Sequence, residues 1–566
     1  MEKLNIGFDF GSTYSLMGVL DPDNGGLHCI SLDVGTPYIP SVVAYDPDKN
    51  KYKYGAAAKG VTGNAKKKVF SAFKTLLNSN ENDAVVCQRG YDSKHTPEQI
   101  SKLFIEQQLS KAMSNMGFES IDTLCIGIPE VWGKSFRISD SQHSVSQAIG
   151  KKHIEDVLNS ISFVKKSIVV TEPQAASAFF VHNYNKSKNA DLNGKLLIVD
   201  YGGGTLDITL SEVSAADNAS NMKIKVIDSK GAGENINGQV GNAGILFIES
   251  LLKLAMKNAG IDTVSMDPSF AALTVKVEQA LRNEADDIKE VFDEYDPTQK
   301  ANLEVLVETP FIDELEYKDA NGEVNEFTIT YADLYIAYKE NIYPTLDNLL
   351  EKIIKDNNVK YTDPSFKLGL VGGFCNFCLV ENQIYEKFNI SNGNDPRVSG
   401  LLSNPEDKEK AIALGATLLS NGKVSLVDTA EFAMGVYAKK DNRLFYNYGI
   451  WYRQEIRPQT TYFIRDKNDV KYIIRSANGD LDKLLIKFDS DDNNAFEMTP
   501  KSQFREKLQN VITGPRRTAF VGFSITPDEV ICIHIQECDA ARNPIGEEKV
   551  IELTDFDNMF DPTIIT

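Results

Sequence analysis

The chain has little that would mark an extracellular or membrane-bound protein. Its seven cysteines (Cys29, Cys87, Cys125, Cys375, Cys378, Cys532 and Cys538) are odd in number and scattered along 566 residues. That pattern speaks against a disulfide framework and fits reduced thiols. No apolar run approaches the ~20 residues that cross a bilayer. Met1-Glu2-Lys3-Leu4 leads straight into a strand-like stretch without a signal-peptide pattern. A globular, cytoplasmic protein is the expectation. Basic residues are in deficit: 60 Lys and Arg against 80 Asp and Glu give a net charge of -20. This opposes non-specific binding to nucleic acid or anionic lipid, so any phosphate ligand needs a local site. The usual nucleotide signatures are also missing. No Gly-x-x-x-x-Gly-Lys-Ser/Thr occurs and no Gly-x-Gly-x-x-Gly follows a strand, which removes the P-loop, protein-kinase and Rossmann readings. There is no Gly-x-Ser-x-Gly elbow for a hydrolase and no His pair at metal-ligand spacing. Cys375-Asn376-Phe377-Cys378 has no second ligand pair and reads as packing.

What is present is apolar material for several cores, with 42% hydrophobic and 9% aromatic residues in a length suited to about three to five structural units. Apolar runs at Leu4 to Phe10, Thr123 to Ile128, Ser167 to Val170, Lys195 to Val199 and Lys367 to Val371 read as buried strands. Helical patterns at 97–116, 242–259, 270–293 and 331–355 alternate with them, giving an α/β domain. After about residue 429 the helical periodicity stops. Short alternating segments such as Phe432 to Ala438, Lys483 to Phe488, Ala519 to Thr526 and Val530 to Gln536 then read as an all-β sandwich. The domain reading is therefore 1–420, a linker over 421–428, a sandwich over 429–555 and a tail over 556–566.

One internal repeat carries chemistry. Gly7-Phe8-Asp9-Phe10-Gly11-Ser12-Thr13-Tyr14 is matched later by Val199-Asp200-Tyr201-Gly202-Gly203-Gly204-Thr205-Leu206-Asp207. Each copy ends a strand in Asp, adds an aromatic, turns through glycines with a Thr and enters a second strand. Glycine lets backbone N–H groups close on a phosphate, and the strand-end Asp is placed to hold Mg²⁺ through its water shell. A lone copy is ordinarily only a tight turn, but two copies in one chain favour paired phosphate loops across a cleft.

On these and the surrounding residues the sequence resembles the heat shock protein 70 (DnaK-type) chaperones, within the actin-like ATPases. Asp9 to Tyr14 is similar to that family's first phosphate motif, and Asp200 to Asp207 to its second. Thr171-Glu172-Pro173-Gln174-Ala175-Ala176 is similar to its connecting motif. Pro40-Ser41-Val42-Val43, Tyr54 to Lys59, Gly233-Glu234-Asn235-Ile236-Asn237, Val371-Gly372-Gly373 and Asn404 to Ala416 resemble further stretches, and Phe523 to Leu553 resembles the closing strands of its peptide-binding sandwich.

The resemblance implies a duplicated, ribonuclease H-like ATPase domain followed by a peptide-binding β-sandwich. It implies ATP or ADP with Mg²⁺ as ligands, slow hydrolysis, and extended apolar or unfolded polypeptide as partner, with J-domain proteins and nucleotide exchange factors as co-chaperones. It gives Asp9 and Asp200 the Mg²⁺ shell, Asp200 or Glu172 the attacking water, and Thr205 and Asp207 the second hairpin. Lys74 becomes the catalytic cation, in preference to the register that puts Phe73 there. Gly11, Ser12, Thr13, Tyr14, Gly202, Gly203, Gly204, Gly233, Glu234, Lys289, Gly372, Gly373 and Phe374 become nucleotide contacts, and Pro129 matches a nucleotide-sensing proline.

Departures from the family are specific. The adenine-side helix matches at Leu281-Arg282 and Lys289, but Glu290 follows where the family has Arg. Gly372-Gly373-Phe374-Cys375-Asn376 lacks the second Arg. Either the base is held more loosely, making weak ATP affinity the expectation, or Phe374 serves as a substitute shelf. Pro129-Glu130-Val131-Trp132 replaces Pro-Ala-Tyr-Phe, and His143 stands for an Arg. In the sandwich, Leu444, Phe445, Leu484 and Ile486 are the peptide candidates. No helical pattern follows Leu553, so the family's helical lid is not expected and peptide should exchange quickly. Two other readings compete: a regulatory module that binds nucleotide without turnover, and another actin-like ATPase or sugar kinase.

Overall fold

The computed structural model describes residues 3–564 apart from 22–24, 33–34, 78–85, 87–88, 134–135, 140–143, 148, 216–221, 233–242, 262–267, 320, 403–406, 431, 441–442, 458–459, 476–483, 488–494, 513–517, 527–529 and 554–558. It divides into two compact units. The first comprises Met1–Gly133, Ile149–Ile224 and Ser229–Ser425; the second comprises Lys134–Ala148, Lys225–Asp228 and Leu426–Thr566. The division falls inside 421–428, where Ser425–Val427 is itself a short strand.

The internal repeat of the sequence is a repeat of the first unit's architecture. One sheet runs in the order Ser167–Thr171, Thr123–Ile128, Asn5–Asp9, Tyr14–Leu20, Leu27–Cys29. A second runs Lys367–Val371, Gly194–Tyr201, Leu206–Ala215, Met222–Ala232. In each, the first strand of a hairpin also pairs in parallel with a later strand. Asp9 therefore lies opposite Leu16 and Gly127, while Asp200 lies opposite Asp207 and Val371. Parallel strands covered on both faces must be apolar throughout, as Leu196–Val199 and Leu124–Ile126 are, with no exposed surface at any of these positions.

Helix Asp407–Ser420 packs against helix Glu172–Lys188 and strand Asn5–Asp9. The approach is close enough that a Cβ on Gly415 would strike the carbonyl of Ala175, and one on Gly7 would strike Ala413 and Thr417. Beneath the first hairpin Phe10 stacks on Phe73 with centroids 5.9 Å apart, and Phe104 closes the group at 5.3 Å from Phe73. Each such fully buried ring contributes about 1.5–3 kcal/mol of transfer free energy. Two long helical readings are split. The 270–293 pattern is Pro268–Asn283 and Ala285–Glu294, with Glu284 out of helical geometry. The 331–355 pattern is Tyr331–Asn341 and Tyr343–Asp356, because Pro344 cannot donate into a continuing helix.

In the second unit, one antiparallel sheet runs Arg443–Ile450, Ala433–Lys440, Leu484–Lys487, Ala495–Pro500, Phe560–Ile564. The other runs Tyr462–Phe463, Thr518–Ile525, Ile531–Glu537, Lys549–Leu553, with Ile473–Arg475 also on Thr518–Ile525. Met434, Val436, Leu484 and Ile486 from the first meet Val521, Phe523, Ile533 and Ile535 from the second in one core. Two readings are corrected here. A helix, Ser502–Val511, interrupts the strands, since Phe504 and Leu508 at i and i+4 both reach that core. Residues 560–564, read as tail, are a strand paired with Ala495–Pro500. Among the described residues, no helix is long and apolar enough to cross a membrane.

Candidate active site

The two glycine turns face each other inside the first unit. A Cβ on Gly203 would collide with Thr13 Oγ1, and one on Gly204 would lie 2.6 Å from Ser12 Oγ, so glycine is needed for the approach rather than for φ. Gly11 likewise has no room for a side chain, because its Cβ would strike the carbonyl of Tyr14. The first turn is braced by the Pro40-Ser41 stretch. Ser41 Oγ donates to Gly11 O at 2.6 Å and Ser41 N–H to Thr13 O at 2.9 Å. The second is braced by the start of helix Gly244–Asn258, whose Gly244 and Ile245 N–H groups donate to Gly202 O at 3.2 Å and Gly203 O at 2.7 Å.

Behind the turns lies a buried cluster of charges. Asp9, Lys74, Glu172, Asp200, Thr205 and Asp207 are each exposed by 7% or less. Lys74 Nζ and Glu172 Oε1 form a short ion pair. Lys74 enters through the short helix Phe73–Leu76, whose preceding residue, Ala72, is left-handed at φ 56. A non-glycine residue there carries strain of about 1–3 kcal/mol, a pattern associated with functional sites. The same turn sends Phe73 into the core against Phe10. The lysine, and not the phenylalanine, faces the carboxylates. Glu172 comes from the N-terminus of helix Glu172–Lys188, where Thr171 N–H donates to Gln174 Oε1 at 3.0 Å.

The electrostatics follow from four buried carboxylates, Asp9, Glu172, Asp200 and Asp207, around this lysine. Burial first, then the negative charge of Glu172, raises Asp9 from 3.8 to about 7, with Lys74 pulling the other way. Asp200 and Asp207 are pushed well up by burial and by Glu172. Burial opposes the charge of Lys74, but Glu172 and Asp9 hold its pKa above the ordinary lysine value. Asp200 Oδ2 and Asp207 Oδ2 are buried without a hydrogen-bond donor. A donor set of this kind, with acceptor oxygens left over and like charges crowded, suits a hydrated divalent cation, which would restore the ionised forms.

Glu130 belongs to the cluster although the sequence nominated only the proline before it. Its N–H donates to Asp207 Oδ1 at 3.2 Å, and its Oε1 accepts from Ser229 Oγ at 2.6 Å. The available signal was the replacement of a small residue by Glu beside Pro129.

The cleft mouth holds a further arginine. Arg282, from helix Pro268–Asn283, places its guanidinium 4.4 Å from the Tyr14 ring centroid and 5.3 Å from that of Tyr38. It lies beside Gly373, whose Cβ would be 3.6 Å from Arg282 Nη2. An arginine therefore stands at the glycine motif, four residues after Glu278, which pairs with Lys59 at 3.0 Å; Lys59 Nζ also donates to Tyr14 OH at 2.7 Å. Asn376, where the family has Arg, donates to Glu409 Oε1 at 2.9 Å, and Glu409 Oε2 lies 3.5 Å from Arg282 Nη2. Lys289 is exposed on a different helix, Ala285–Glu294, and its charge is felt at Cys378. Gly372 adopts φ +86 with Asp200 Oδ1 2.9 Å from its Cβ position, tying the motif to the charge cluster.

Phe374 is no free shelf. It stacks on Phe377 at 5.7 Å and meets Tyr201 edge-on at 5.1 Å. Cys375 and Cys378 are buried, with both thiols pushed up to about 12 by burial, in keeping with packing. Gly233 and Glu234 lie outside the described residues. In the second unit, Leu484 and Ile486 are fully buried core residues, which removes them from a peptide-contact surface. Leu444 and Phe445 lie on the edge strand Arg443–Ile450, with side chains outside the described residues.

The family model described as Hsp70 protein matches residues 5–434 of the chain. That family has an actin-like ATPase as its N-terminal domain, binds ATP or ADP with magnesium, and acts in chaperoning.

Proposed function

The chain belongs to the Hsp70 family, and from that premise we propose an ATP-dependent chaperone that binds and slowly hydrolyses MgATP and binds extended apolar peptide. The observation that carries the reading is the buried Lys74–Glu172 pair set among Asp9, Asp200 and Asp207 directly behind two opposed glycine turns. Such a cluster is costly to fold, at several kcal/mol per desolvated ion, and has an evident use in phosphoryl transfer.

In this reading, backbone N–H groups of Gly11 to Thr13 and Gly202 to Gly204 cradle the phosphates. Arg282 and Tyr14 line the base side, in place of Lys289 and Phe374. Lys74 offers its charge to the oxygens of the transferring phosphoryl group, because Glu172 holds it ionised. Asp9 and Asp200 would hold a hydrated Mg²⁺, which supplies charge neutralisation of the phosphates when bound. Asp200 Oδ2, buried and without a donor, is the better acceptor for the attacking water, since Glu172 is occupied by Lys74. Asp207, held by the Glu130 N–H, fixes the second hairpin.

For the peptide, the edge strand Arg443–Ile450 offers main-chain hydrogen bonds by strand addition, with Leu444 and Phe445 as its apolar contacts. J-domain and exchange-factor partners and a cytoplasmic address complete the proposal. Calorimetric titration with MgATP, and fluorescence anisotropy of a labelled extended apolar peptide with and without MgATP, test it. Saturable nucleotide binding with a nucleotide-dependent peptide affinity is the expected result, and millimolar MgATP without heat of binding would refute it. A sugar kinase would instead transfer the γ-phosphate to a hexose, and no hexose-dependent ADP formation is expected.

A further inference from the structure

The outer face of the second sheet of the C-terminal unit carries a constellation that the chaperone reading does not use. Strands Thr518–Ile525 and Ile531–Glu537 pair with Ser524 opposite Cys532 and Gly522 opposite His534, so Ser524 and His534 are diagonal neighbours on one face. Val521, Phe523, Ile533 and Ile535 occupy the other face and fill the core. Ser524 Oγ lies 2.7 Å from His534 Nε2, and His534 Nδ1 lies 2.7 Å from Glu548 Oε1. Thr461 Oγ1 is a further neighbour of Nδ1 at 3.3 Å. Because a carboxylate only accepts, Nδ1 is assigned as the donor to Glu548, and in the neutral ring Nε2 then accepts from the Ser524 hydroxyl.

The surroundings hold the three groups in place. Ser524 and His534 are 6% and 9% exposed, which limits their rotamers, while the Glu548 side chain reaches solvent at 35%. Glu548 is delivered by the loop that follows Glu537. Gln536 Nε2 pins that loop by donating to Ile545 O at 3.1 Å, and Ile545 N–H donates back to Glu537 O at 2.7 Å. Two large apolar side chains stand exposed at its edge. Val550 is directly opposite His534 on the neighbouring strand and is 54% exposed, and Ile545 is 49% exposed.

We propose that Ser524, His534 and Glu548 form a nucleophile, base and orienting acid that hydrolyse small neutral carboxylic esters, with Val550 and Ile545 as the apolar contact for the acyl group. The order of atoms is that of a serine-hydrolase triad, which is recognised by geometry and not by sequence position. Ser524 Oγ adds to the ester carbonyl carbon while His534 Nε2 takes its proton. The imidazolium passes that proton to the leaving alkoxide as the ester C–O bond breaks. Water then repeats the addition with Nε2 as base, releasing the carboxylic acid and restoring the Ser524 hydroxyl. The absence of a Gly-x-Ser-x-Gly elbow is no obstacle to this, because the strand pairing and not an elbow aims the serine.

The test uses the full chain without nucleotide, a fluorophosphonate probe with peptide mapping, and 4-nitrophenyl acetate. The phosphonate is expected on Ser524 of the unmodified protein, a result that depends on no variant folding. Release of 4-nitrophenol should fall about 100-fold in Ser524→Ala and in His534→Gln, and less in Glu548→Gln. No adduct on Ser524 under conditions that label trypsin fully, or ester hydrolysis undiminished in Ser524→Ala, overturns the proposal.

Discussion

Lys74 and Glu172 lie 98 positions apart in sequence and form one ion pair with 3% and 5% of their side chains exposed. One comes from a four-residue helix after a strained Ala72, the other from the first turn of a long helix. Breaking such a pair from one side leaves an uncompensated buried charge. Lys74→Met should destabilise the first unit by about 3–5 kcal/mol in urea unfolding. The paired change Lys74→Met with Glu172→Leu should recover a substantial part of that. If the double variant is as unstable as the sum of the singles, the pair is not coupled.

The tip-to-tip approach of the turns gives a second expectation. Gly203→Ala puts a methyl group into Thr13 Oγ1 and should weaken MgATP binding by prising the turns apart. Adding Thr13→Ala removes the struck atom and should restore part of the affinity, even though it deletes a hydroxyl. Calorimetry on the two variants and Thr13→Ala alone separates steric from hydrogen-bond effects.

At the cleft mouth the prediction reverses the sequence reading. Arg282→Ala should lower MgATP affinity by about 2- to 30-fold, the range set by a cation–aromatic contact of about 0.5–2 kcal/mol. Lys289→Ala should leave it unchanged. Equal effects from both would mean that Arg282 is only a partner for Glu409.

An acid limit of stability is expected away from the cleft. Arg397 donates to both Asp395 oxygens, at 2.8 and 2.6 Å, and to the carbonyls of Tyr361, Phe388 and Asn389. The hydrogen bonds from Arg397 lower Asp395 from 3.8 to about 2. A carboxyl lowered in the folded state contributes stability that is fully present above its unfolded value and disappears as pH falls through the folded one. Between pH 4 and pH 2 the unfolding midpoint of wild type should therefore fall more steeply than that of Asp395→Asn, as thermal scans across that window would show.

The sequence disclosed the two hairpins because a duplicated Asp-aromatic-glycine turn is a local pattern, and local patterns survive without tertiary information. Lys74, Glu172, Asp200 and Asp207 were reachable through the resemblance, and the fold brings them together. In sequence, Arg282, Lys289 and Glu290 read as parts of one continuous helical pattern over 270–293. The break at Glu284 puts Lys289 and Glu290 on a separate helix from Arg282, which lies beside Gly373. Glu130 was invisible as a site residue because its partners, Asp207 and Ser229, come from distant strands. In the C-terminal unit alternation gave the strands but not which face is covered, so Leu484 and Ile486 were assigned to peptide although they fill the core. Ser524, His534 and Glu548 could not be grouped before the register of three strands was known.

The proposed function requires that the Lys74 cluster turn over MgATP. Single-turnover release of phosphate from MgATP bound to the purified chain, with Lys74→Ala alongside, tests it most directly. Slow release by the unmodified chain is expected, with a loss of about 100-fold or more in the variant, which should still bind nucleotide. Release at equal rates from both proteins, or none from the unmodified chain with nucleotide fully bound, would contradict it.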